Sequence, residues 1–419
     1  MTGITLSNLL LEQINKPSPI RQIMKFADET NIKKMGLRPE DVISFGGGWV
    51  NHKAPEAFRE EYIKVCKDPD AFHLSGAYSA TLGDLRCREA IARYEKEIFG
   101  MKEISAENII VGMGSTQLTH DVFVSLANPA DTFLFLDPTY ANYPGQVEFA
   151  IAGAKMVRLP VLDTESWSYT PDISKTIEDF KEVFLKERPK LVVVPTPDNP
   201  TSQMLDERIM KAMVELTAEY GSYLILDMAY KTQYFGEKPP SYFSWSPEDY
   251  ENLVTIHSNS KWCRGLGRRL GWIEANLEVI SALERVQQVS ILCPDTLHQM
   301  TMTSYLNRSL EDGSLRRYLD EVRRNYELTA KVTLKAIDHY LGFRRLVPQG
   351  GLYTVMDVET DAERLVPEIL KNTGVLFIPG IGFGKTLRNG VRISYGPLVN
   401  DHEKIKEGME RVGKYLERI

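Results

Sequence analysis

Lys261 and its neighbours carry the first chemistry that can be read from this chain. The lysine stands in Ser258-Asn259-Ser260-Lys261, with Gly265 and Gly267 after it and Arg269 eight residues on. A lysine amine can form a Schiff base with an aldehyde, while the hydroxyls, glycine backbone and arginine beside it suit a phosphorylated partner. Asp227 closes the run Tyr223-Leu224-Ile225-Leu226, where a carboxylate is costly to bury without a positive partner. Such a carboxylate can keep a pyridine nitrogen protonated, so that the ring draws electrons from a carbanion at an amino acid's Cα. Arg392, in Val391-Arg392-Ile393-Ser394, can clamp a carboxylate through two parallel hydrogen bonds.

Four further stretches could serve the same chemistry. Gly112-Met113-Gly114-Ser115-Thr116 follows an apolar run and opens a helix, which offers N–H groups, hydroxyls and a helix dipole to a phosphate. Gln117 and Leu118 stand where a dinucleotide fingerprint needs its third glycine, which weighs against a nicotinamide dehydrogenase. Tyr140, in Asp137-Pro138-Thr139-Tyr140, could stack on a flat ring, and the amide of Asn199, in Asp198-Asn199-Pro200, could donate to a cofactor oxygen. Gly46-Gly47-Gly48 allows close backbone approach to a ligand. Taken singly, each has an ordinary reading: a solvated lysine, a packed tyrosine, a flexible turn.

The elements that must position these groups follow from hydrophobic pattern. Short apolar runs at 108–112, 132–136, 155–159, 191–194, 223–227, 253–257 and 270–274 alternate with amphipathic stretches, which predicts a mostly parallel sheet of seven strands covered on both faces. Tyr140, Asn199, Asp227 and Lys261 then all fall just after strands, where sites of parallel sheets collect. A helical tract is expected from about 277 to 340, most simply as a solvated connection between two domains. The last part reads as short strands with helices between them, and residues 5–35 as an N-terminal arm and helix broken at Lys16-Pro17-Ser18-Pro19. A chain of 419 residues exceeds one core. The expected division is an arm and part of a small domain over 1–60, a large α/β domain over 61–300 and a small α+β domain over 301–419.

Composition narrows the function classes. Fifty basic residues against 57 acidic ones give a net charge of −7, which argues against a nucleic-acid or anionic-membrane binder. No apolar run has the length of a membrane span and no signal peptide is evident, so the cytoplasm is the expected location. Four cysteines without a Cys-x-x-Cys pair are expected to be reduced thiols.

In joint order and spacing these motifs resemble the class I/II aminotransferases, pyridoxal-phosphate enzymes of fold type I. Tyr78 with Gly83 and Leu85-Arg86, Gly114-Ser115-Thr116, Pro138-Thr139-Tyr140, Asn199-Pro200-Thr201, Asp227-Met228-Ala229-Tyr230 and the lysine segment carry the likeness. Pro348-Gln349-Gly350-Gly351, Pro379-Gly380 and Val391-Arg392-Ile393-Ser394 extend it toward the C-terminus. The resemblance implies that Lys261 bears pyridoxal 5′-phosphate and moves the proton at Cα. It implies that Asp227 pairs with the ring nitrogen, Asn199 and Tyr230 bond the phenolic oxygen, and Tyr140 stacks on the ring. Ser115, Thr116, Ser258 and Arg269 would hold the phosphate with backbone help from Gly114. Arg269 matches the family pattern better than Arg268. Tyr78 would reach the phosphate of a neighbouring subunit, so a homodimer with shared sites is implied.

Gly48 and Arg392 would receive the substrate carboxylate. Ser18-Pro19-Ile20-Arg21 and Leu270-Gly271-Trp272-Ile273 are similar to the aminoadipate and aromatic branch, which makes Arg21 the candidate for an acidic side chain. The implied reaction is transfer of an amino group from an L-amino acid to a 2-oxo acid, 2-oxoglutarate above all. The alternative is another reaction on the same cofactor: β-elimination, decarboxylation or oxidation. Two departures concern substrate identity rather than cofactor use: Ser202, where many members have glycine, and Trp262-Cys263-Arg264 after the lysine.

Overall fold

The computed structural model describes residues 6–14 and 18–418. Its centre is a seven-stranded sheet built from the seven apolar runs. We number them β1 (Ile109–Gly112), β2 (Thr132–Asp137), β3 (Lys155–Pro160), β4 (Leu191–Pro195), β5 (Tyr223–Asp227), β6 (Leu253–Ser258) and β7 (Gly271–Glu274). Their order in the sheet is β1-β7-β6-β5-β4-β2-β3. Pairing is parallel from β6 across to β3, and β7 runs antiparallel to both β1 and β6. Ser258 of β6 lies opposite Gly271 of β7, so the chain that leaves the sheet with Lys261 returns beside its own point of departure.

Alternation along the strands explains why the sheet is buried on both faces. Phe133 and Phe135 enter one core with Ile110, Val193, Ile225 and Ile256, whereas Leu134 and Leu136 enter another with Val192, Val194, Leu224 and Leu226. Successive side chains of a strand point to opposite faces, so unbroken apolar runs are what a doubly covered sheet requires.

A second core gathers Phe45, Val355, Ile369, Ile378, Ile393 and Met409 around a small sheet of β8 (Tyr353–Asp357), β9 (Ile378–Pro379) and β10 (Gly390–Ser394). The order is β8-β10-β9, antiparallel throughout, and Ile43–Ser44 pairs separately with Val375–Leu376.

Helices are α1 (Asn8–Ile14), α2 (Pro19–Phe26), α3 (Leu85–Tyr94), α4 (Ser115–Leu126), α5 (Leu277–Ser290), α6 (Thr296–Glu311) and α7 (Ser314–Tyr340) among others. The expected tract from 277 to 340 is thus three helices rather than one. Pro294 lies in the first break, and Gly313, at φ +69°, makes the second in a left-handed conformation. Nor is α7 merely solvated: Leu315, Leu319, Val322, Tyr326, Ala330 and Ile337 are buried along one face. Leu74 and Ser75 end a short helix, Pro69–Ser75. The sequence break near residue 16 lies partly outside the described residues, with α2 starting at Pro19. No helix among the described residues is long and apolar enough to cross a membrane.

Candidate active site

The carboxyl ends of β2, β4, β5 and β6 open onto one cavity of about 650 Å³. Tyr140, Asn199, Asp227, Tyr230, Ser258 and Lys261 reach it from these strand ends. Ser115 and Thr116 reach it from the start of α4, Arg269 from the lysine loop, Gly48 from the glycine turn, Arg392 from β10 and Arg21 from α2. The sheet therefore collects residues from distant parts of the chain at a single edge, the usual place for a ligand in such folds.

Lys261 is drawn toward the glycine turn, its Nζ donating to the carbonyl of Gly48 at 2.5 Å. Burial, with Arg392 and Arg269 nearby, brings its pKa down to about 8, against the opposing pull of Asp227. Asp227 is buried, and its carboxyl pKa is raised by that burial. Its Oδ2 accepts from the Tyr143 hydroxyl at 2.9 Å and its Oδ1 from the Ala229 N–H at 3.1 Å. Two donors hold the carboxylate in one orientation, as an acid that must face a ring nitrogen requires. Tyr143 was not singled out in the sequence because a tyrosine opening a helix reads as packing.

Arg392 is also buried. Its Nη1 donates to Asn199 Oδ1 at 3.0 Å and its Nη2 to the Gly46 carbonyl at 2.7 Å, while Nε has no partner. The guanidinium lies between the rings of Tyr353 and Phe383, 4.6 and 4.9 Å from their centroids. Cation–π contact on both sides fixes its plane without neutralising it. Tyr353, from β8, also lines the cavity, and its hydroxyl is 2.6 Å from that of Tyr230. In the sequence it looked like one strand residue among others; the Gly350-Gly351 turn before it was the only signal.

Ser115, Thr116, Ser258 and Arg269 line the cavity together, with Gly114 against Arg269. Gly114 has φ +85°, which favours glycine, and a Cβ there would stand 2.5 Å from the Arg269 guanidinium and push that side chain from its place. Arg269 is steadied by donating to the Leu266 carbonyl at 2.8 Å, and the Ser258 hydroxyl donates to Ser260 at 2.9 Å. The first turn of a helix leaves N–H groups without internal partners, so an arginine and hydroxyls beside it suit a phosphate. Tyr140 forms part of the wall, and burial pushes its phenol up to about 12.

Two expected residues behave differently from the rest. Tyr78 does not line the cavity; it is 83% exposed. Arg21 reaches the cavity mouth, where Gln13 also hydrogen-bonds Glu148. A nucleophilic amine, a buried acid with a fixed direction, a flat aromatic wall, a phosphate turn and an arginine clamp together fit pyridoxal phosphate and an amino acid.

Comparison with known proteins agrees with this geometry. The family model Aminotransferase class I and II matches residues 40–412. The chain is 27% identical over 405 residues to the aspartate aminotransferase of Pyrococcus horikoshii, covering 96% of this chain and 95% of that one. It is 26% identical to aromatic-amino-acid aminotransferase 2 of Thermococcus litoralis, covering 97% of each. A solved Thermus thermophilus aspartate aminotransferase, 24% identical, shares the fold with a TM-score of 0.84 over 98% of this chain and all of its own. A Methanococcus jannaschii structure, described as similar in its active site to kynurenine aminotransferases, is 25% identical with a TM-score of 0.81 over the same shares. The chain belongs to the class I and II aminotransferase family and is a pyridoxal-phosphate-dependent transaminase.

Proposed function

We propose that the cavity carries an amino group from an L-amino acid to a 2-oxo acid, 2-oxoglutarate in particular, in two alternating half-reactions. The observation behind this reading is unpaired charge: Lys261 and Arg392 face one space and, among the described residues, neither has a carboxylate within ion-pair distance. Buried cations without counter-ions call for an anionic ligand.

When bound, pyridoxal phosphate supplies an aldehyde carbon and a ring that takes up the electron pair left at Cα. Lys261 holds the aldehyde and, once released, takes the proton from Cα and returns it; lowered basicity keeps part of it uncharged near neutral pH. Asp227 holds the ring nitrogen in its protonated form. Asn199 already accepts from Arg392 through Oδ1, which leaves its Nδ2 free to donate, with Tyr230, to the phenolic oxygen. Tyr140 stacks on the ring. Ser115, Thr116, Ser258 and Arg269 hold the phosphate, with the Gly114 backbone. Arg392 and the Gly48 backbone receive the α-carboxylate, and Arg21 an acidic side chain.

Tyr78 serves the phosphate of a second subunit, consistent with its exposure, and the working unit is a homodimer. The chain acts in the cytoplasm, consistent with its four unpaired cysteines. A large domain over 61–300 carries the cofactor, and a small one over 301–419, completed by 1–60, carries the clamp; α6 straddles that boundary by packing on the helix Glu56–Lys67.

A panel of L-amino acids tests the reaction, with aspartate and the aromatic amino acids first because they appear in the relatives' names. The productive donor converts the cofactor's visible band to that of its amine form, and 2-oxoglutarate restores it. Release of ammonia or carbon dioxide without that conversion would instead support an elimination or a decarboxylation.

A further inference from the structure

Tyr353 has more contacts with the site than a strand residue needs. It is fully buried, yet its hydroxyl lies 2.6 Å from that of Tyr230, and its ring lies 4.6 Å from the Arg392 guanidinium. Register explains the second contact. Arg392 lies opposite Val355, so Tyr353 is its diagonal neighbour on the same face of the small sheet. The turn from Asn199 to Ser202 fixes both partners. Asn199 accepts from Arg392 at 3.0 Å, and the Ser202 hydroxyl accepts from the Tyr353 backbone N–H at 3.0 Å. Ser202 has φ +56°, a conformation that favours glycine. At this position the serine hydroxyl holds the strand that carries Tyr353, which gives the departure from glycine a physical function.

We infer that Tyr353 is a positioning residue of the transaminase site: its hydroxyl donates to the Tyr230 hydroxyl, and its ring supports the Arg392 guanidinium. Tyr230 then accepts from Tyr353 and directs its own proton at the cofactor's phenolic oxygen. One side chain thus aligns the donor at the cofactor and the clamp for the substrate. The inference rests on the reading of Tyr230 given above.

The direction of the proton follows from the surroundings. The titratable groups facing the two phenols are Arg392 from β10, Tyr140 after β2, Lys261 after β6, Tyr326 from α7 and Tyr395 after β10. Burial raises both phenols; at Tyr353 the Arg392 guanidinium, 4.6 Å from the ring, is the largest influence against that rise, while Tyr230, with the Lys261 amine 5.5 Å from its ring, stays well above the ordinary value. The more acidic phenol of a neutral pair is the better donor, and at this site that is Tyr353.

Two buried hydroxyls that merely satisfy each other would lie at the same distance, so the test must read the cofactor. A proton donated toward the phenolic oxygen stabilises it as an anion, which lets the linked Lys261 nitrogen lose its proton at lower pH. Weakening the donation therefore raises the midpoint of the visible absorbance titration of the loaded protein. Tyr353→Phe is expected to raise it by about half a unit, the worth of one modest hydrogen bond, and Tyr230→Phe by more. The double variant should match Tyr230→Phe alone, because a relay has no further effect once its last member is gone.

Spectral titration with the amino acid separates the second role. Its dissociation constant should change less than about twofold in Tyr353→Phe, which keeps the ring, and rise about tenfold in Tyr353→Leu, which does not. A midpoint that moves with Tyr230→Phe but not with Tyr353→Phe overturns the inference, as do fully additive shifts. A midpoint indifferent to Tyr230→Phe instead removes the reading on which the inference depends.

Discussion

Lys231 and Lys261 each follow the end of a central strand closely and each lies over an aromatic ring, yet they differ in counter-ion and in access to open space. Lys231 is buried with Glu95, whose Oε2 accepts from it at 2.5 Å, and its Nζ lies 4.2 Å from the centroid of Phe99. Beside that pair His257 faces Glu274 at 3.2 Å, and Glu274 also accepts from Thr255 and Trp272. Glu95 sits where α3 widens into a π-helical turn, Glu95–Phe99, and burial with Glu274 nearby raises its pKa. Burial would also raise Glu274, but His257 holds it below the usual range. Lys261, by contrast, has other cations nearby and an open cavity in front of it. A buried lysine sealed in with its carboxylate serves the fold; one kept without a carboxylate serves a ligand.

Three experiments can break or sharpen this contrast. The largest effect belongs to Lys261→Met, which should cost turnover on the order of 10⁴-fold because both the attachment and the proton carrier at Cα are lost. Retention of more than a few per cent of the rate would contradict the assignment. Next comes Lys231→Met, which leaves Glu95 buried without its cation and should destabilise the protein by about 3–5 kcal/mol, read as a fall in Tm. Adding Glu95→Gln should recover part of that loss; a further fall would show that the carboxylate has another role.

The smallest effect has the opposite sign. In the cofactor-free protein the folded pKa of Lys261 is lowered to about 8, against 10.5 for an unperturbed lysine. Between those values the unfolded chain binds a proton that the folded chain does not, so stability rises with pH across the window, and below it the cost is fully present. Lys261→Met should therefore stabilise the cofactor-free protein at pH 7 by about 2 kcal/mol, less than the full shift implies because the amine still meets the cavity. The gain should shrink toward zero as pH rises from 8 through 10.5. Melting curves at the two ends of that window check it, and a gain independent of pH would refute the account.

Why the sequence separates these lysines only in part is a matter of distance along the chain. Lys261 is legible because serines, glycines and an arginine surround it locally, and because the strand before it opens as an apolar and β-branched run, Leu253-Val254-Thr255-Ile256. Nothing near Lys231 announces Glu95, its partner 136 residues away. The same holds for Tyr143 and Tyr353, whose site contacts, Asp227 at the end of β5 and Tyr230 just after it, lie 84 and 123 residues away. The seven central strands could be read because burial on both faces demands a mainly apolar run, a local property; only β3, at the sheet's edge, has exposed residues, Lys155 and Pro160. The tract after 277 was read as one helix on its periodicity, although Pro294 and Gly313, which stand in the two breaks, are themselves sequence signals for helix ends.

The pairing of Ser258 with Gly271 has a consequence for how this protein can change. The lysine rides on a loop of fixed circumference, closed at its base by two adjacent strands and held on the far side by the pairing of Gly271 with Gly112. A Cβ on Gly271 would stand 2.5 Å from the His257 carbonyl, so even the hinge point cannot grow. An insertion or deletion in this loop must slide the register or buckle the turn, and either would swing Lys261 or Arg269 out of the cavity. Same-length replacement of Trp262-Cys263-Arg264 keeps the register, but it must also refill the core that Trp262 and Cys263 occupy beside Tyr94 and replace the hydrogen bonds of Arg264 to Asn51 and the His52 carbonyl. The loop is thus closed in length and tied down in composition, because the tripeptide beside the lysine is itself part of the packing that keeps Lys261 in place.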